Sequence, residues 1–206
     1  EFLAATARRH KLWLVGGTLP LKPTQPNRVR SACLLFDDQG RRVARYDKIH
    51  LFDVTLSNGE HDRESAVFEP GTEVVVADTP FGKLGLAVCY DLRFPELLRA
   101  RLDRGAEVFA VPSAFTALTG RAHWEVLVRA RAVENLAYVI AAAQGGYHVN
   151  GRETHGNSMI VDPWGRVLDR VPRGSGVVIA EVNPTYQASL RASLPALTHR
   201  ILFSCA

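Results

Sequence analysis

The chain has 206 residues, 47% hydrophobic and 22% charged, as expected of one ordinary globular domain with a full core. Its net charge of +4 comes from 25 basic and 21 acidic residues that are scattered rather than gathered into a stripe, which argues against a nucleic-acid partner. No apolar run nears the roughly 20 residues of a membrane span, no signal-peptide pattern opens the sequence, and three sparse cysteines (Cys33, Cys89 and Cys205) suggest neither a disulfide framework nor a zinc site and fit a reducing, cytoplasmic compartment.

Residues 1–10 read as the middle of an amphipathic helix with no N-cap before it, so upstream sequence is expected. Residues 12–20 predict a buried strand running into a turn, and 22–27 a proline-punctuated surface loop. A hairpin comes next, with strands over 29–36 and 42–46 about the turn Asp37-Asp38-Gln39-Gly40. Residues 47–63 are polar and irregular despite Leu51, Phe52 and Val54, a long loop of a kind that is usually functional or mobile. A second hairpin is predicted over 73–78 and 83–89, turning at Pro80-Phe81-Gly82. A helix is predicted over 94–103, ended by Gly105, then a strand over 108–112. The remaining pattern is a helix over 123–135 and strands over 137–143, 156–161, 166–170 and 177–182, the last two paired. Strands alternating with both hairpins and helices predict a layered α/β domain, with no internal repeat and no linker.

One segment points to chemistry. The apolar run Gly85-Leu86-Ala87-Val88 ends in Cys89, and a helix-like pattern begins at once. A helix N-terminus behind the sulfur supplies unpaired N–H groups and partial positive charge, both of which favour the thiolate, the nucleophilic form. A buried structural cysteine is the plain alternative. None of His50, His123, His148 or His155 sits in a protease-like signature, so the stronger candidate partner is Lys48, where a hairpin strand gives way to the long loop. A lysine there is placed to stabilise an oxyanion; its plain alternative is a surface charge.

Two motifs carry a resemblance. Tyr46-Asp47-Lys48-Ile49-His50-Leu51-Phe52-Asp53 and Cys89-Tyr90-Asp91-Leu92-Arg93-Phe94-Pro95-Glu96 resemble the lysine and cysteine motifs of the nitrilase superfamily of carbon–nitrogen hydrolases, Nit branch. Pro112-Ser113-Ala114-Phe115, His123-Trp124-Glu125, the run from Arg129 to Asn135, Ala141-Ala142-Ala143-Gln144 and the run from His155 to Gly165 continue the match in order, and the tail from Leu194 to Arg200 fits a subfamily that hydrolyses deaminated glutathione.

The resemblance implies a single carbon–nitrogen hydrolase domain over 1–206, a four-layer α-β-β-α sandwich whose first strand–helix unit lies upstream, and an amidase acting on the terminal carboxamide of a small, carboxylate-bearing substrate. Deaminated glutathione is the first substrate expected, with ω-amidase or N-carbamoyl substrates behind it. By position, Cys89 is the nucleophile that forms a thioester, Lys48 and the Tyr90 backbone N–H stabilise the oxyanion, and Glu64 holds the lysine and a substrate amine in register. The family's base glutamate matches no residue here, which leaves a nitrilase-fold interaction protein with a vestigial site as the competing class. No metal or organic cofactor is implied, and a homodimer or higher oligomer is.

For substrate choice, Arg93 has two readings: a fork for a substrate carboxylate, or a structural partner of Asp91 or Glu96. Phe115 and Thr116 come just after a strand end where a pocket wall forms, Phe115 being equally at home in the core. The helix over 123–135 either presents Trp124, Arg129, Arg131 and Glu134 to another subunit or is a plain amphipathic surface helix.

Overall fold

The computed structural model describes residues 1–24 and 27–201, so Cys205 lies outside the described residues. In chain order the elements are α1 (Phe2–His10), β1 (Leu14–Val15), β2 (Leu19–Leu21), β3 (Arg30–Phe36), β4 (Arg42–Asp47), β5 (Asp53–Thr55), β6 (His61–Arg63), β7 (Val76–Thr79) and β8 (Gly82–Leu86). They continue as α2 (Pro95–Asp103), β9 (Val108–Ala110), α3 (Ala117–Asn135), β10 (Tyr138–Ala141), β11 (Gly145–Tyr147), β12 (Glu153–His155), β13 (Ser158–Val161), β14 (Val167–Val171) and α4 (Pro184–Ser193).

Two sheets form the body. In the smaller, β3 pairs antiparallel with β1, β2 and β4. The larger runs β14-β13-β10-β9-β8-β7, parallel only at β8–β9 and β9–β10. Side-chain alternation along β3 sorts the layers. Ala32, Leu34 and Phe36 pack with Ala7 of α1, whereas Cys33 and Leu35, with Tyr46, meet Leu84, Leu86, Val108 and Ala110 between the sheets. On the far face Phe109, Val139 and Val161 pack under Leu97 and Leu98 of α2 and Trp124, Val128 and Ala132 of α3. The order is therefore α-β-β-α. Burying one such Leu or Phe contributes about 1.5–3 kcal/mol, and these three interfaces hold the fold.

Several expectations need correction. Residues 47–63 are not wholly irregular, because β5 and β6 form a hairpin there, and a second hairpin, β11–β12, stands where the pattern predicts no strands. α3 begins at Ala117, six residues early, because the Thr116 side chain accepts the Thr119 N–H and caps it. Its Trp124 and Arg131 face inward: Trp124 is fully buried and donates from Nε1 to Asn157 O at 2.7 Å, and Arg131 donates to Leu92 O at 2.8 Å. Neither is offered to another subunit. β14 pairs with β13, and residues 177–182 form no strand, with Val177 and Ile179 exposed. α4 has no counterpart among the predicted elements, though Asn183 caps it and Pro184 opens it.

Candidate active site

β8 stops at Leu86, and the chain stays extended to Val88 (φ −134°, ψ 115°) before reversing at Cys89 with φ +50°. A non-glycine residue held in the left-handed region costs about 1–3 kcal/mol, and the turn is pinned by the Cys89 N–H donating to Pro112 O at 3.0 Å. Residues Cys89–Arg93 form a five-residue 3-10 segment, and α2 starts only at Pro95. The expected helix N-terminus is thus one short turn. The thiol responds accordingly. Burial pushes the Cys89 thiol above its ordinary pKa; the Lys48 ammonium and then the Ala114 N–H pull it down, Glu64 pushes up again, and burial wins.

Lys48 leaves the end of β4 and is 3% exposed. Its backbone is clamped on both sides, the N–H donating to Ser31 O at 2.9 Å and the carbonyl accepting from Gly71 N–H at 2.8 Å. The Nζ donates to Glu64 Oε2 at 2.5 Å, and the Phe52 N–H donates to the same oxygen at 2.6 Å. The β5–β6 hairpin explains this: it folds the loop back so that Glu64, just past β6, returns to the lysine, with the Glu64 N–H donating to Phe52 O at 3.2 Å. A buried ion pair of this kind is costly to break from either side.

Lys48, Glu64, Cys89, Tyr90, Arg93, Phe115 and Thr116 all line one cleft of about 1000 Å³. The Tyr90 N–H, in the first turn after the sulfur, has no acceptor among the described residues. Arg93 pairs with neither Asp91 nor Glu96, and no carboxylate partner for it exists among the described residues. Its guanidinium instead lies over the rings of Tyr90 (5.9 Å) and Phe115 (5.5 Å) and contacts His123 Nδ1 at 3.2 Å. Phe115 serves core and cleft at once, packing edge-on against Trp124 at 5.0 Å. The Thr116 hydroxyl is committed to capping α3, and its neighbour along the cleft is Thr119.

Sequence reasoning missed Arg152. It lies after the β11–β12 turn, lines the cleft, and pulls the Cys89 thiol down. Its Nη1 stands 3.4 Å from Asp62 and its Nε 3.9 Å from Glu60, both on the other hairpin. The signal was present: Asn150-Gly151 is a strong hairpin dipeptide. Among the described residues no group of three or more His, Cys, Asp or Glu could hold a metal ion, and no helix is long and apolar enough to cross a membrane.

Known proteins share this sequence pattern and this fold. The sequence pattern of the carbon–nitrogen hydrolase family matches residues 1–192. A deaminated glutathione amidase from Yersinia enterocolitica is 45% identical over 196 residues, 94% of this chain and 68% of that protein. The crystal structure of the Caenorhabditis elegans NitFhit protein superposes with a TM-score of 0.90 at 42% identity, covering 96% of this chain and 48% of that one. Nit3 of Saccharomyces cerevisiae, described as a member of branch 10 of the nitrilase superfamily, gives 0.84 at 33% identity, covering 94% and 68%.

Proposed function

The chain belongs to the carbon–nitrogen hydrolase family and is an amidase of the nitrilase superfamily, and from that premise we propose that it cleaves the terminal carboxamide of a small, carboxylate-bearing substrate at Cys89, with deaminated glutathione the first candidate. The observation that carries the substrate class is Arg93, a guanidinium on the cleft with no carboxylate of its own among the described residues. A charged substrate end supplies that partner, in two parallel hydrogen bonds.

The Cys89 sulfur attacks the carbonyl carbon and the carbonyl oxygen becomes an oxyanion. Lys48 Nζ and the Tyr90 N–H are its donors in this reading, and Glu64, bound to Lys48 and Phe52, keeps the ammonium aimed. The C–N bond then breaks. Attack releases the thiol proton and departing ammonia takes one up, so the step is proton-neutral. Water hydrolyses the thioester: one of its protons returns to the sulfur to restore the thiol, and the other is released to solvent with the carboxylate product. A homodimer in the cytoplasm completes the proposal: Val126 and Val133 are exposed on α3, and Cys33 and Cys89 are free thiols.

The test is ammonia release from a panel of amides by the wild-type protein and Cys89→Ala. The panel holds deaminated glutathione, the amides of 2-oxo dicarboxylic acids, N-carbamoyl amino acids and a neutral amide. Release that needs both a substrate carboxylate and Cys89 is the expected result. Equal rates on the neutral amide, or release that survives Cys89→Ala, overturns it.

A further inference from the structure

One buried ionisable group has no part in this chemistry. Asp91 stands two residues past Cys89, is fully buried, and is absent from the cleft wall. Its carboxylate accepts four hydrogen bonds, two on each oxygen. Oδ2 takes the Tyr46 hydroxyl at 2.6 Å and the Val88 N–H at 2.9 Å. Oδ1 takes the His50 N–H at 3.1 Å and contacts the His50 ring Nδ1 at 2.8 Å.

The partners matter more than their number. Val88 immediately precedes Cys89, and Tyr46 and His50 stand two residues before and after Lys48. The cysteine turn leaves the larger sheet and the lysine segment leaves the smaller one. One carboxylate therefore bonds both backbones across the seam between the sheets. The neighbours reinforce the tie. The Tyr46 hydroxyl also receives the Ile49 N–H at 3.2 Å, and the His50 ring stacks on Phe94 with centroids 3.6 Å apart and planes 6° from parallel. Arg101, fully buried, lays its guanidinium 4.7 Å from the Tyr46 ring centroid and supplies the compensating charge. Gly85 leaves room for its stem, because a Cβ there meets Arg101 Cδ at 3.0 Å.

These contacts hold the group as an anion. Burial works against the charge, yet the bonds from His50, Tyr46 and Val88 outweigh it and keep the Asp91 carboxyl below its ordinary pKa. The Tyr46 phenol is pushed up, by burial first and Asp91 second, and stays a donor.

We propose that Asp91 is a positioning residue for amide hydrolysis, fixing the placement of the Lys48 ammonium relative to the Cys89 sulfur by bonding the backbone on both sides of the seam; this rests on the roles given to Lys48 and Cys89 above. Oxyanion stabilisation tolerates little error, and a misplacement of about 1 Å costs on the order of 100-fold in rate. Asparagine at 91 keeps the shape but presents an NH2 on one side. Whichever way it turns, that NH2 meets a backbone N–H, of Val88 or of His50, which cannot become an acceptor. One side of the seam is released.

The experiment measures kcat and KM for ammonia release, the pH profile of Cys89 alkylation by iodoacetamide, and thermal melting for wild type, Asp91→Asn, Tyr46→Phe and Cys89→Ala. In Asp91→Asn we expect kcat to fall about 10- to 100-fold with KM within about 2-fold, and alkylation to need higher pH as the ammonium drifts from the sulfur. The groups acting on that sulfur are Lys48, Glu64 and Arg152. Tyr46→Phe deletes the bond to Asp91 and the one accepted from the Ile49 N–H while keeping the ring, and its kcat falls about 3- to 10-fold. A folded Asp91→Asn protein with lowered melting temperature but wild-type kcat and alkylation profile overturns the proposal. If Asp91→Asn does not fold, unchanged kcat and alkylation in Tyr46→Phe overturn it instead. Ammonia release that survives Cys89→Ala is a different failure, because it removes the reading of the site itself.

Discussion

Asp91 and Asp62 each tie two segments beside the same cleft, and they do so in opposite physical settings. Asp91 lies in the seam between the sheets, fully buried, with four donors within 3.1 Å, two of them backbone N–H groups. Asp62 lies at the mouth on β6, where it meets Arg152 from the β11–β12 loop at 3.4 Å with about a third of each side chain in water. Backbone donors in a dry seam set distances; a long, screened ion pair between two hairpins holds them near one another and lets them slide. The groups proposed for bond-breaking hang from the first arrangement. The walls that admit a substrate hang partly from the second.

Cys89→Ala is the largest intrusion on the seam side, and ammonia release falls at least about 1000-fold with the nucleophile gone. Lys48→Met comes next. It lowers kcat/KM about 100- to 1000-fold through the lost oxyanion donor and, by leaving Glu64 unpaired, costs about 3–5 kcal/mol in denaturant unfolding. Adding Glu64→Gln to it restores stability and not rate; recovery of rate shows that the ammonium was only structural.

The same chemical change on both sides puts the contrast to a direct test. Asp91→Asn costs about 2–3 kcal/mol of unfolding free energy because a buried donor loses its acceptor, whereas Asp62→Asn costs less than about 1 kcal/mol. Equal losses erase the distinction between seam and mouth. Arg93→Gln raises KM about 10-fold for amides that carry a carboxylate and leaves a neutral amide unaffected, with kcat little changed. The gentlest probe is pH. Because the Cys89 thiol is raised, its thiolate accumulates only as pH climbs past the ordinary thiol value, about 8.5, so alkylation keeps accelerating above that point in the wild-type protein. A plateau near pH 7 contradicts the dominance of burial at this sulfur.

Much of the fold was legible locally. The β3–β4 and β7–β8 hairpins follow from alternating apolar residues around Asp37-Asp38-Gln39-Gly40 and Pro80-Phe81-Gly82, and α2 from its apolar spacing with Pro95 at the first turn. The two hairpins at the mouth escaped because their strands are three residues long and polar, yet each turns on an Asn-Gly pair, Asn58-Gly59 and Asn150-Gly151, with both glycines at positive φ. Residues 177–182 read as a strand from composition, since Val and Ile favour strands wherever they fall, but they join no ladder: β14 pairs with β13 and ends the sheet.

By itself the sequence determined which residues could do chemistry: a cysteine behind an apolar run, a lysine at a strand end, a glutamate 16 residues later, an arginine four past the cysteine. Those are facts of residue type and order, and order is what a chain carries openly. Only the tertiary structure decided what each group became. The sign of the Cys89 shift depends on burial and on Lys48, which is 41 positions away; Arg93 has no carboxylate partner among the described residues, while Asp91 is taken by Tyr46 and His50; and Asp91 bridges two sheets that no local pattern joins. Desolvation and hydrogen-bond partnership are properties of neighbours in space, and packing brings those neighbours together from across the chain.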